Sequence, residues 1–209
     1  MRRFFIGAIA LAVALLFCAV NAWAMTAPEF YKLARDRPGI NAFAATVQSA
    51  VETGHWKSEL WNLSNNGAGI KADKQWRACR PFVQIASPES DGKNYFYRVS
   101  YFRKYASSDE FLMDYAAKIK RDYPCSAAHA DNMWGYFAGL YHGRLGSWAT
   151  DHRYFEKLVV KSIQLAPQLL GSAWHNKLDS AYVLALERRS LSGWQKQIIE
   201  KALRGCDGK

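Results

Sequence analysis

Acidic side chains are scarce in this sequence: 18 against 28 lysines and arginines, a formal net charge of +10 over 209 residues. Such a surplus of base suits an anionic polymer, whether wall polymer, lipid or nucleic acid, and equally suits ordinary solubility, so charge alone selects no partner. Cysteine is sparse too. The four cysteines and five histidines nowhere fall in the close pairs that hold structural zinc, and no metal or cofactor is expected. His129, His142 and His152 read as surface or hydrogen-bonded residues. No Gly-rich phosphate loop, nucleophile elbow or Cys-His constellation occurs, which removes nucleotide chemistry and Ser or Cys nucleophiles from view. There is no internal repeat and no low-complexity linker. Beyond residue 20 no apolar run approaches the length of a membrane span.

The first 24 residues have the form of a secretory leader. Arg2 and Arg3 open it, residues 4–20 are apolar, and Ala22-Trp23-Ala24 is a small-x-small cleavage site. Cys18 lies inside it, but Phe17 fits a lipoprotein cleavage site poorly. The expected location is periplasmic or secreted. Cleavage leaves Cys79, Cys125 and Cys206, and an oxidising compartment favours one disulfide among them with one thiol left over; spacing does not assign the pair.

The remainder is one domain's worth of chain. Helices are expected over 28–36, 42–52, 56–63, from Ser107 or Ser108 to before Pro124, and over 131–141, 151–164, 179–189 and 192–204. Segments 75–86 and 94–101 read as two strands around a polar loop at 87–93. The class is therefore α+β: mostly helical, with a small β-hairpin lobe and a cleft between the two. In the second helix Ile40, Phe43, Ala44, Val47 and Val51 form the buried stripe, with Asn41 as cap and Gly54 as stop. At 100° per residue Glu52 falls about 100° from the stripe's centre, at the edge of the core. A carboxyl half-buried among apolar and aromatic groups keeps its proton towards neutral pH, as proton donation to a glycosidic oxygen requires.

The stretch from Glu52 to Lys71, E-T-G-H-W-K-S-E-L-W-N-L-S-N-N-G-A-G-I-K, resembles the signature of the bacterial glucosaminidases, glycoside hydrolase family 73. The family pattern, roughly E-S-G-W-G-x-S-x-L-x-x-x-x-N-N-L-F-G-I-K, lies over it without a gap. It matches at Glu52, Gly54, Ser58, Leu60, Asn65, Asn66, Gly69, Ile70 and Lys71. Phe102-Arg103-Lys104-Tyr105 is similar to the family's F-R-x-Y. Trp148-Ala149-Thr150-Asp151, Tyr154 and Lys157-Leu158 resemble its Y-A-T-D-P-x-Y-x-x-K-L. Three motifs in the right order are far more specific than one.

The resemblance implies a lysozyme-like fold over residues 25–166 and hydrolysis of the N-acetylglucosaminyl β-1,4 bond of peptidoglycan, with Glu52 as proton donor. It places Trp148 and Tyr154 in the cleft; Trp56 and Asn66 are further candidates for the substrate site. A second carboxylate is wanted by both inverting and retaining mechanisms. Aligned through the hairpin, Glu89 is the candidate base, with Glu59 and Asp151 as weaker alternatives. The sequence departs from the family at His55-Trp56, where Trp-Gly is usual, at Gly67-Ala68, where Leu-Phe is usual, at His152 and Arg153, and at Trp148. The last stands in the place of a tyrosine, and an indole offers no phenol proton or oxygen. Two rival functions follow: a lytic transglycosylase, which uses one protonated Glu on a similar fold, and a wall-binding module that has lost turnover. Residues 167–209 lie outside the resemblance and read as a helical cap or as a docking surface for an envelope or secretion complex.

Overall fold

The structure, a computed structural model, describes residues 25–90 and 95–205, with the side chains of 87–90, 95 and 96 excepted. Residues 1–24, where a leader is expected, residues 91–94 and residues 206–209, with Cys206, lie outside the described residues. In chain order the elements are α1 (Ala27–Arg35), α2 (Ala42–Glu52), α3 (Glu59–Ser64), α4 (Lys74–Cys79), β1 (Phe82–Ser90), β2 (Tyr95–Arg103), α5 (Ser108–Asp122), α6 (Pro124–Ala128), α7 (Met133–Gly139), α8 (Tyr154–Leu170), α9 (Trp174–Glu187) and α10 (Gly193–Arg204). The fold is α+β and mostly helical, with one antiparallel pair of strands among the described residues. No helix among the described residues is long and apolar enough to cross a membrane.

Helix α2 is the axis of the molecule. Asn41 caps it, its side-chain oxygen accepting from Ala44 N at 2.9 Å, and the eight residues from Phe43 to Ala50 are all buried. A surface helix buries one stripe; this one is enclosed by α1, α7 and α8, so its short polar residues must find partners inside. Gln48 accepts from the Tyr115 hydroxyl at 2.5 Å, and that hydroxyl also meets Tyr136 OH at 2.9 Å. Ser49 Oγ accepts the Trp56 indole N–H at 2.9 Å.

The strands sit differently from expectation at both ends. Residues 75–79 are helical, because Asp73 caps α4 by accepting from Trp76 N at 2.8 Å, and β1 starts only at Phe82. At the other end β1 continues through the expected loop to Ser90, opposite Tyr95, so pairing overrides the turn-forming composition of 87–90. Short α6, opening with Pro124 at its first position, was not foreseen. The base of the hairpin is stitched to the body by Ala72 N donating to Tyr101 O (2.8 Å) and Arg103 N to Ile70 O (3.0 Å).

The C-terminal helices complete the core. Leu178, Ala185 and Ile199 are fully buried, and the Trp134 indole N–H donates to Leu178 O at 3.1 Å. Trp194 packs on Phe155 and Tyr141, with ring centroids at 5.2 and 5.5 Å. The division at residue 166 falls inside α8, which runs on through Pro167 to Leu170. Cys79 and Cys125 are both free and exposed, so the disulfide between these two is not formed.

Candidate active site

Glu52 is the last residue of α2, followed by Thr53, whose hydroxyl donates back to Ser49 O at 2.6 Å and accepts from Trp56 N at 2.8 Å. Around this buried threonine the chain reverses through three consecutive left-handed residues, Gly54, His55 and Trp56, with φ of 55°, 59° and 58°. Glycine adopts that backbone freely; the two others cost of order 1 kcal/mol or more each. The turn ends α2 abruptly and leaves the Glu52 side chain at the edge of the core.

Two donors fix that side chain. Trp148 Nε1 and Tyr154 OH both donate to Glu52 Oε1, at 3.0 and 2.7 Å, from 96 and 102 residues away. Burial pushes the carboxyl above its ordinary pKa; the bonds from Tyr154 and Trp148, then the charge of Lys157, pull the other way without reversing it. Burial and the nearby Glu52 charge hold the Tyr154 phenol well above its usual value, so it stays a donor. Oε2 takes no part in these bonds. It lies 4.0 Å from where a Cβ on Gly69 would stand, beside a groove of about 600 Å³. Gly69, Ile70, Arg103, Asp122, Tyr123 and Trp148 are among the groove's walls.

Asn66 shapes the wall nearest the acid. It is fully buried, its Nδ2 donating to Ile70 O (2.9 Å) and Arg103 O (3.0 Å) while its Oδ1 accepts from Ile70 N (2.9 Å). Buried and bonded at both ends of its amide, it holds the loop in place, and its burial gives no support to a direct contact with substrate, its other expected role. Trp56 is likewise corrected: it is 3% exposed, bonded to Ser49 and packed 5.2 Å from Phe30, so it belongs to the core and offers no sugar platform. Trp148, partly exposed between Tyr115 and Tyr123, both bonds the acid and faces the groove.

The carboxylates divide sharply. Glu59 is exposed in the first turn of α3, and Asp151 accepts from Arg153 N (2.9 Å) and Lys157 Nζ (2.5 Å) at the start of α8; both serve helix ends. Glu89 lies in β1 opposite Phe96, and its side chain is outside the described ones. Two groove acids were missed. Asp122 is buried between Lys118 (2.9 Å) and Arg121 (2.7 Å), chiefly the latter, which hold it down to about 2. Asp73 caps α4 and meets Arg103 at 3.2 Å. The i,i+4 spacing of Lys118 and Asp122 was the available signal; nothing local placed them on the groove. Among the described residues no cluster of His, Cys, Asp or Glu could hold a metal.

A family profile described as mannosyl-glycoprotein endo-beta-N-acetylglucosaminidase matches residues 27–165. The chain belongs to this glucosaminidase family. It is a glycoside hydrolase. The glucosaminidase is similar to the catalytic domain of the autolysin Auto from Listeria monocytogenes, with 21% identity over 83% of this chain and 99% of that one, TM-score 0.55, a likeness of fold alone. It is also similar to a truncated glycoside hydrolase domain of FlgJ from Salmonella typhimurium, with 26% identity over 66% and 91% of the chains, TM-score 0.50. A third likeness is to an N-acetylmuramoyl-L-alanine amidase from Staphylococcus aureus, with 26% identity, TM-score 0.51, over 67% of this chain and only 39% of that one. No curated protein matches significantly.

Proposed function

We propose that this glucosaminidase is an exported peptidoglycan hydrolase that cleaves the N-acetylglucosaminyl β-1,4 bond with Glu52 as general acid. The observation that carries the proposal is the unequal treatment of the two Glu52 oxygens. Oε1 accepts two hydrogen bonds, so it is the carbonyl-like oxygen of the neutral acid, and the proton belongs on Oε2, beside the groove. Oε2–H passes its proton to the leaving glycosidic oxygen as the bond to the sugar carbon breaks. The carboxylate that forms is stabilised by donors already in place, which need no reorganisation at the moment of reaction. Water then attacks the sugar carbon, giving its proton to Glu89 as the hairpin closes. The bacterial wall as substrate is supported by the likeness to part of the staphylococcal N-acetylmuramoyl-L-alanine amidase. The leader supplies export on this reading.

The test is mass analysis of the fragments released from sacculi by the wild type and by Glu52→Gln. The wild type should release fragments with a hydrated reducing end, and the variant should be slower by roughly a hundredfold to ten-thousandfold while still sedimenting with sacculi. Equal digestion by both would end the role of Glu52. Fragments one water lighter would make the enzyme a transglycosylase.

A further inference from the structure

A second cavity, of about 370 Å³, opens on the other side of the turn that ends α2. Its floor is apolar: Ala50 and Val51 from α2, Val160 from α8. Its rim carries four basic side chains, His55, Arg153, Lys157 and Lys161, and one acid, Glu156. Lys157 and Lys161 lie four apart on α8, so they share one face of that helix, and Arg153 stands at its N-cap.

The charges on this rim are not equally matched. Arg153 pairs with Glu156 at 3.0 Å, and Lys157 pairs with Asp151. Lys161 Nζ instead lies 2.6 Å from His55 Nε2 and donates to Gln164 Oε1 at 2.7 Å, both neutral acceptors. Burial lowers the pKa of Lys161, and burial followed by Lys161 and Lys57 lowers that of His55. A cation held against an imidazole in a partly desolvated cleft is stabilised by an arriving anion, which would accept from Lys161 Nζ.

The backbone that presents His55 is costly. His55 and Trp56 hold left-handed backbone around Thr53, and His55 stands where the resembled family has tryptophan. Strain of this kind persists where the surroundings over-determine it, and it accompanies ligand sites more often than plain surface. The cavity is also coupled to the catalytic acid: Ala50 and Val51 immediately precede Glu52, and the Lys157 charge acts on it. The occupant proposed for it is therefore a substituent of the polymer whose cleavage is assigned to Glu52. An apolar floor under a mostly basic rim fits a carboxylate on a short aliphatic side branch.

We infer that the cleft between the left-handed turn and α8 binds a carboxylate of the acidic stem peptide on a peptidoglycan strand, so that the protein reads the peptide as well as the sugar. This rests on the substrate reading given above. The direct test titrates the full-length Glu52→Gln protein with an isolated stem tetrapeptide, and separately with inorganic phosphate. The peptide should bind saturably, and adding Lys161→Gln should weaken it about tenfold. His55→Asn, which tolerates the same backbone, should weaken it in the same direction. Absence of peptide binding, equal binding by Lys161→Gln, or phosphate binding as tightly as peptide would overturn the assignment. The second arm is kinetic. Wild-type preference for intact sacculi over strands stripped of peptide, expressed as a ratio of KM values, should fall about tenfold in Lys161→Gln; an unchanged ratio overturns the inference. Cleavage of neither substrate by the wild type would overturn the substrate reading instead, and the titration would then decide the cleft on its own.

Discussion

The two walls of the groove are built to different standards. On the helical side, α2 is enclosed over eight consecutive residues, and the oxygen of Glu52 is pinned by donors from two distant segments. On the hairpin side, the backbone bonds to the body among the described residues lie at the base. There Arg103 makes both hydrogen bonds to Asp114, at 3.0 and 2.9 Å, and stacks 4.3 Å over Trp76. Further out Tyr97 is 78% exposed and Val99 is exposed beside it. A lone two-stranded ribbon is marginal in water. The candidate acid thus sits in the enclosed wall, and the opposite wall is an arm anchored at its base by backbone pairing and by Arg103, which pairs with both Asp114 and Asp73.

The comparison breaks most visibly if the arm carries chemistry rather than shape. Glu89→Gln should cut kcat on sacculi by roughly a hundredfold or more, with sedimentation and Tm unchanged. A kcat within twofold of wild type would strip the arm of its base and leave it a clamp. A smaller effect is expected where the arm is anchored. Arg103→Met leaves Asp114 partly buried with one hydrogen bond, from Tyr105 OH at 2.7 Å, in place of an ion pair. The expected cost is about 3 kcal/mol, a fall in Tm of some 6–12 °C, read by thermal denaturation. A Tm equal to the wild type would mean that backbone pairing to Ile70 and Ala72 suffices.

The enclosed wall was the legible one. Helix α2, its Asn41 cap, the offset of Glu52 from the apolar stripe and the helix stop all follow from local spacing, and the structure keeps each. The arm was less legible because its ends are decided by pairing. Asp73 turns residues 75–79 into a helix, and β2 draws 87–90 into a strand, neither of which is visible in local composition. Departures from the family pattern were visible singly but not as neighbours. Trp56 donates to Ser49 Oγ, and a Cβ added at Gly67 would stand 2.6 Å from that same oxygen. The tryptophan shifted by one place and the glycine that replaces a leucine thus meet at one atom, 7 and 18 residues from it along the chain. Tyr154 was placed in the cleft by resemblance alone; its bond to Glu52 spans a separation that no periodicity reports.

The finest test of the enclosed wall is Tyr154→Phe. The phenol favours ionised Glu52, opposing the burial that favours the neutral acid. Its loss removes only the opposing influence, so the Glu52 pKa should rise further, and the alkaline limb of the kcat/KM profile should move to higher pH. At acid pH, where Glu52 is protonated in both proteins, the rate should still fall about tenfold, since the forming carboxylate loses a charge-assisted bond. A downward shift of the limb would mean that the substitution had let water in, and that packing by Tyr154, not its hydroxyl, sets the acid. Stability supplies an independent check of sign. A carboxyl whose pKa is higher folded than unfolded takes stability away as pH rises through that range, because the unfolded chain releases the proton more readily. Glu52→Gln cannot ionise and keeps an acceptor for Trp148 and Tyr154. It should therefore melt above the wild type at pH 8 and lose that advantage at pH 4; an advantage equal at both would assign it to packing and remove burial as the cause of the proton's retention.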